Sequence, residues 1–379
     1  MQISEYSKNC MDGFVKIFKE IVERESPSQN KELCDKLADY LEELFSEFAE
    51  VTRIKQEKVG DNLRIEFGKA CEEGKQILIL CHLDTVWDKG TIDGWSFKQS
   101  NNKITGPGVY DMKFGIVQAY FTFKGLIETN TKLKNKVVLY INSDEEIGSL
   151  HSTEFIVKEA KKSSCVLLLE PSEESGFAKT QRKGMFNYKI EVHGKSAHAG
   201  AFHKDGVSAI KELSAKILQI EALTNYEMGT TANVGVLRGG NKVNVISEYA
   251  EAECEVRFDK MEEANRVENF MNSLSPENKG AILKIIQTEK KMPFVKTEGN
   301  IRLYEVFKKT TQKLGQPSGE IFVGGLSDGN TTSCLGIPTI DGLGAIGSHA
   351  HSRDEYISVD KICDRVELLM EMLIELENF

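Results

Sequence analysis

The chain has 379 residues, 40% of them hydrophobic and 28% charged, enough apolar material for a full core spread over about two domains. Asp and Glu (58) outnumber Lys and Arg (48), the net charge is −10, and no basic cluster interleaves with aromatics, which excludes a nucleic-acid surface. No run of about 18 apolar residues occurs, and Met1–Ser26 is charged throughout without an apolar signal core, so neither a membrane span nor a secretory leader is expected and the chain reads as cytoplasmic. In chain order, helical periodicity covers Gly13–Glu25 and Asn30–Ala49, and strands follow at Asn62–Phe67 and Gln76–Val86. A helix runs from Asp111 to about Ile127, then a strand from Lys136 toward Glu146, a helix over Ser152–Lys162 and a strand ending at Glu170. Such alternation predicts a doubly wound α/β sheet.

From Phe177 the pattern changes to strand (Phe186–Gly194), helix (Gly206–Leu223), two strands (Thr231–Gly240, Val243–Phe258), helix (Met261–Leu274) and strand (Ala281–Lys291). That order, β-α-β-β-α-β, is the ferredoxin-like unit. After Pro293 an α/β pattern resumes, with a helix near Ile301–Leu314 and short strands at Ile321–Gly325 and Thr339–Gly344. The expected organisation is a discontinuous sheet domain (1–176 and 294–379) into which a second, α+β domain (177–293) is inserted. The 8 cysteines (Cys10, Cys34, Cys71, Cys81, Cys165, Cys254, Cys334, Cys363) lack any CxxC pair, which argues against a disulfide framework or a zinc ribbon, and they read as reduced.

Several apolar strands end in charge. KVVLYINSDEE finishes on Asp144, Glu145 and Glu146, QILILCHLD on His82 and Asp84, and CVLLLE on Glu170. In open α/β sheets the carboxyl ends of strands are where ligands sit, so these tips converge on metal-ligand chemistry. His82 and Asp84 are i and i+2 on a strand and share a face, which lets Asp84 orient the imidazole as carboxylates do behind metal-bound histidines. Asp111 follows the glycine-rich turn GPGVYD at the start of a helix, where it projects into a cleft or serves as an N-cap. The adjoining Glu145 and Glu146 should diverge, one to a metal and the other to water. Glu170 needs a partner to offset its burial beside an apolar strand. The loop GLGAIGSHAHSRDEYISV offers His349 and His351, either of which fits a ligand role. A thiol hydrolase built on Cys81 and His82 fails because neighbouring strand residues face opposite ways.

At HLDTVWDKG, GPGVYDMKFG, SDEEIGS, LLEPS, GKSAHAG, GGNKVNVI, GGLSDG and HSRDEYI the sequence resembles the co-catalytic dizinc hydrolases, a family that includes acetylornithine deacetylase, succinyl-diaminopimelate desuccinylase, aminoacylase and bacterial glutamate carboxypeptidase. The segments span nearly the whole chain, and HLDTVWDKGTI, GGLSDGNTT and GLGAIGSHAHSRDEYI look most like the glutamate carboxypeptidase branch. The resemblance implies two Zn2+ per subunit, with Co2+ or Mn2+ as substitutes. Asp111 would bridge them, His82 and Glu170 hold one, and Glu146 and His351 the other, because the family histidine stands four residues before a glutamate, here Glu355. Glu145 matches the general base, His198 an oxyanion-stabilising histidine often supplied by the partner subunit, and Asn244 and Arg257 substrate-binding positions. A cis peptide after the bridging aspartate, between Asp111 and Met112, and a homodimer formed through the inserted lid domain are also implied.

Departures from the family pattern occur as well. His203 stands where the family has a proline, and with His193 and His151 reads as a surface residue. In KKMPF, Met292 replaces the arginine of the carboxypeptidase branch, so glutamate specificity does not carry over at that position. Arg182 and Lys183 either compensate or are solvated basic residues. The expected activity is hydrolysis of an amide in a small peptide or acylated amino acid with a free carboxylate. Carboxypeptidase or peptidase action and N-acyl amino acid deacylation remain alternatives, and no membrane or nucleic-acid partner is expected.

Overall fold

A computed structural model describes residues 1–68 and 75–379; Cys71 lies outside the described residues. The chain divides into two compact units, one formed by 1–180, 296–322 and 327–379 and the other by 181–295 and 323–326.

The first unit is built on a six-stranded sheet in the order Glu50–Ile54, Asn62–Phe67, Lys136–Asn142, Gln76–His82, Ser163–Leu168, Thr339–Ile340. Gln76–His82 runs parallel to both of its neighbours, while Asn62–Phe67 and Glu50–Ile54 add antiparallel strands at one edge. Every residue of Gln76–His82 is buried, as expected of a central strand covered on both faces, so its sequence is a continuous apolar run rather than an alternating one. Helix Phe114–Glu128 packs in this core, and Phe14 of helix Met11–Val22 meets Phe114 and Phe121 with ring centroids 5.1 and 5.5 Å apart. Helix Lys31–Ser46 starts where the Asn30 side chain accepts the Leu33 N–H, relieving one of the unpaired amides of its first turn. Beside it the Asp61 carboxylate, its side chain 2% exposed, meets Lys31 at 2.7 Å, Arg53 at 2.8 Å and Lys55 at 2.9 Å.

The second unit has a four-stranded antiparallel sheet in the order Thr231–Gly239, Tyr249–Phe258, Gly184–His193, Ile282–Lys291, with helices Ala209–Glu221 and Met261–Ser273. Along Tyr249–Phe258 buried residues alternate with more exposed ones, the period-two pattern of a sheet with one packed face.

Differences from the sequence reading are local. The strand expected from Val243 begins at Tyr249; the preceding residues form a loop in which Val243 is fully exposed and Val245 bridges to His198. Helix Ile3–Asn9 and strand Glu50–Ile54 were not anticipated, nor was a small sheet made of Gly347–Ser348, Tyr356–Ser358, Lys103–Thr105 and Lys98–Ser100. Segments of two or three residues are too short to carry a periodic signal. No described helix is long and apolar enough to cross a membrane.

Candidate metal centre

The carboxyl ends of the central strands place the donors. His82 closes its strand, and its ring Nδ1 lies 3.0 Å from the main-chain carbonyl of Asp84. A carbonyl can only accept, so the proton sits on Nδ1 and Nε2 is the nitrogen left to face a ligand. Nε2 is buried and has no hydrogen-bond partner among the described residues. Around it stand Asp111 Oδ1 at 3.3 Å, Glu170 Oε1 at 3.7 Å and Glu145 Oε2 at 4.0 Å.

Asp111 turns its second oxygen the other way. Oδ2 lies 3.3 Å from His351 Nε2, which is also 3.1 Å from Glu146 Oε2. One atom each from His82, Asp111 and Glu146 fall within 4.8 Å of one another, so Asp111 stands between the other two donors in one compact cluster. His351, not His349, is brought to these carboxylates; His349 is exposed and rests near the Tyr356 ring. Both histidines have positive φ, 67° at His349 and 61° at His351, a conformation few non-glycine residues adopt. The Asp111–Met112 peptide is cis.

The Asp84 carboxylate does more than face the imidazole. Its Oδ1 is 3.4 Å from His82 Nδ1, but it accepts the main-chain N–H of Glu145 through Oδ1 and that of Glu146 through Oδ2, both at 3.2 Å, and the Ser28 hydroxyl at 2.7 Å. A fully buried carboxylate thus fixes the turn that carries the two glutamates. Asp144 does not join the cluster. It accepts from His151 N–H at 2.7 Å and from the Ser152 hydroxyl, and so shapes the same turn from behind.

Charge in the cluster is one-sided. Burial, followed by the neighbouring Glu170, Asp328 and Glu146, pushes Glu145 well above the usual carboxylate range. Burial and Asp111 also raise Glu146. The pull of Asp111 and Glu146 lifts His351 to about 11, while Asp111, despite burial, is held low by His351 and His82. A cation among these donors would relieve the carboxylate repulsion and take the place of the protons on the imidazoles. The donor set, imidazole nitrogens and carboxylate oxygens, therefore fits a transition-metal site.

The remaining site candidates belong to the second unit. His198 is exposed, and its Nδ1 accepts the N–H groups of Gly200 and Ala201, both at 3.2 Å, which leaves the proton on Nε2. The Asn244 carbonyl accepts the Ala199 N–H at 3.0 Å, tying the GGNKVNVI loop to GKSAHAG. Arg257 has its planar fork on Glu255, Nε to Oε1 at 2.7 Å and Nη2 to Oε2 at 3.0 Å, with Nη1 on the Gly324 carbonyl. Arg182 is not solvated: it is 4% exposed and donates to the Gly325 and Leu326 carbonyls, which offset its burial. Lys183, half-buried, donates to the Gly229 carbonyl. Among the surface histidines His203 is exposed, whereas His151 and His193 are half-buried.

One residue of the centre escaped the sequence reading except as a spacing mark. Glu355, fully buried, accepts main-chain N–H groups of Tyr110 at 2.7 Å and Asp111 at 3.2 Å. The available signal was a glutamate beside an apolar segment in HSRDEYISV.

The sheet carries at its strand ends a cluster of imidazoles and carboxylates that could hold a metal ion. The chain belongs to the peptidase family M20/M25/M40, whose profile matches residues 78–375. It is similar to carboxypeptidase G2 of Pseudomonas sp. (strain RS-16), 29% identical over 325 residues that cover 84% of this chain and 77% of that protein. It is also similar to succinyl-diaminopimelate desuccinylase of Rickettsia felis, 28% identical over 257 residues, 61% of this chain and 65% of that one. Among solved structures, aminopeptidase PepT from Bacillus cereus superposes with a TM-score of 0.78 at 22% identity, covering 97% of this chain and 98% of that one, a likeness of fold.

Proposed function

We propose that the protein is a dizinc hydrolase that cleaves the amide bond of a small peptide or acylated amino acid bearing a free carboxylate. The observation that carries this reading is the Asp111 carboxylate, whose two oxygens each lie 3.3 Å from a different histidine, His82 and His351, with Glu145 alongside. His82, Glu170 and Asp111 would hold one ion, and Asp111, Glu146 and His351 the other. When bound, the ions supply Lewis acidity toward water and the scissile carbonyl.

Glu145 is the proton carrier in this scheme. Its carboxylate takes a proton from the attacking water and delivers it to the leaving amine, and its buried position favours the protonated form in between. Asp84 keeps Glu145 and Glu146 in register by holding their amides. His198 Nε2–H is suited to donate to the oxyanion, and the proton count on Nδ1 supports that tautomer. Asn244 and Arg257 are the proposed substrate contacts, and for Arg257 a substrate carboxylate would have to exchange with Glu255.

Similarity to carboxypeptidase G2 favours recognition of a C-terminal residue, and similarity to the desuccinylase supports the alternative, an N-acyl amino acid deacylase. A panel of C-terminal glutamyl peptides, dipeptides, and N-acetyl and N-succinyl amino acids separates the two. Turnover of the peptides alone supports the first, turnover of the acylated amino acids alone supports the second, and turnover of none rejects both. A cytoplasmic setting is supported by the described cysteines, all with free thiols. Homodimer formation through the second unit is supported by Thr231–Gly239, which lies at the edge of its four-stranded sheet and so offers backbone groups for pairing with another chain.

A further inference from the structure

Glu355 lies four residues beyond His351 in the sequence, yet its side chain reaches the turn that carries Asp111. Oε1 accepts the N–H of Tyr110 at 2.7 Å and of Asp111 at 3.2 Å; Oε2 accepts the N–H of Gly108 at 3.4 Å and the indole N–H of Trp87 at 3.3 Å. Four donors converge on one fully buried carboxylate. Gly108 has φ +75° and a Cβ there would come within 2.7 Å of Thr85, so the turn can make this approach only with glycine.

We infer that Glu355 is a positioning residue that locks the Asp111 turn to the His351 loop and so preassembles donors from two distant segments. The inference rests on the proposed metal centre and adds to it a residue that touches no ion. One observation and one physical argument support it. His351 holds φ +61°, a conformation that persists in a histidine only when its surroundings enforce it, and Glu355 is the anchor of that loop on the Asp111 side. Two segments left to order themselves around an ion would lose conformational entropy on binding, and a built-in link removes that loss beforehand. Glutamine cannot replace it, because an amide accepts through one oxygen only and would set its NH2 against main-chain N–H donors.

The test is zinc affinity measured by competition with a chelator, together with the visible spectrum of the cobalt(II)-loaded protein. Glu355→Gln should weaken binding of at least one equivalent roughly 10- to 100-fold and alter the cobalt spectrum. Asp61→Asn, which removes another buried carboxylate of the same unit, should leave both unchanged, so that a general loss of stability is separated from a loss of positioning. Wild-type affinity in Glu355→Gln overturns the inference while leaving the metal centre intact; a wild-type protein that binds no divalent ion overturns both. Should Glu355→Gln fail to fold, hydrogen exchange in the wild type decides. The amides of Gly108, Tyr110 and Asp111 should be protected in the metal-free protein, and exchange at the rate of an open loop there would contradict preassembly.

Discussion

His351 places Nε2 3.1 Å from Glu146 Oε2, while His349, two residues earlier, faces away toward Tyr356. Two histidines of one short loop therefore make different predictions. His351→Ala should lower bound zinc toward about one equivalent per chain, since one ion loses its only nitrogen donor in the proposed set. His349→Ala should retain nearly all of it. Elemental analysis of the dialysed proteins checks this, and the reverse order would move the ligand to His349.

Asp61 predicts a pH dependence of stability remote from the centre. Burial raises its carboxyl, but Lys31, the Gln56 amide, Lys55 and Arg53 outweigh burial and hold it well below the usual range. A carboxyl depressed in the folded state stabilises above its unfolded value, near 3.9, and that stabilisation is lost as pH falls toward the folded value. Asp61→Asn should cost about 2–3 kcal/mol near pH 7, and the gap from wild type should narrow below about pH 4. Urea midpoints at several pH values measure it; a gap that is constant with pH would reject the account.

How much of this could be read from the sequence depends on the length of the signal. Gln76–His82 and Lys136–Asn142 are buried on both faces, so their apolar runs and charged tips marked both the strands and the donors His82, Glu145 and Glu146. The bonds of the Asp84 carboxylate to the Glu145 and Glu146 amides depend on how two strand ends meet, a tertiary fact without a local pattern. Glu355 was hidden for the same reason: its partners lie 244 to 268 positions away. The Arg257–Glu255 pair did have a signal, since residues two apart on a strand share a face. Arg182 misled because a cation satisfied by loop carbonyls looks like any exposed basic residue in sequence.

His198 offers a separate test of the second unit. If it acts across a dimer, mixing inactive Glu145→Ala and His198→Ala subunits under exchange conditions should restore up to about half of wild-type activity per heterodimer, because one composite site is intact. No recovery despite demonstrated exchange would mean that His198 serves its own chain or none, and a monomer in solution would remove action in trans.

In the proposed scheme Glu145 moves the proton while the other donors hold the metals. Glu145→Gln keeps the shape of the side chain and removes no proposed ligand, so zinc content and amide hydrolysis should be measured on the same preparation. The variant should keep about two zinc ions per chain, with turnover lowered by several orders of magnitude. Near-normal turnover with the metals retained would contradict the scheme.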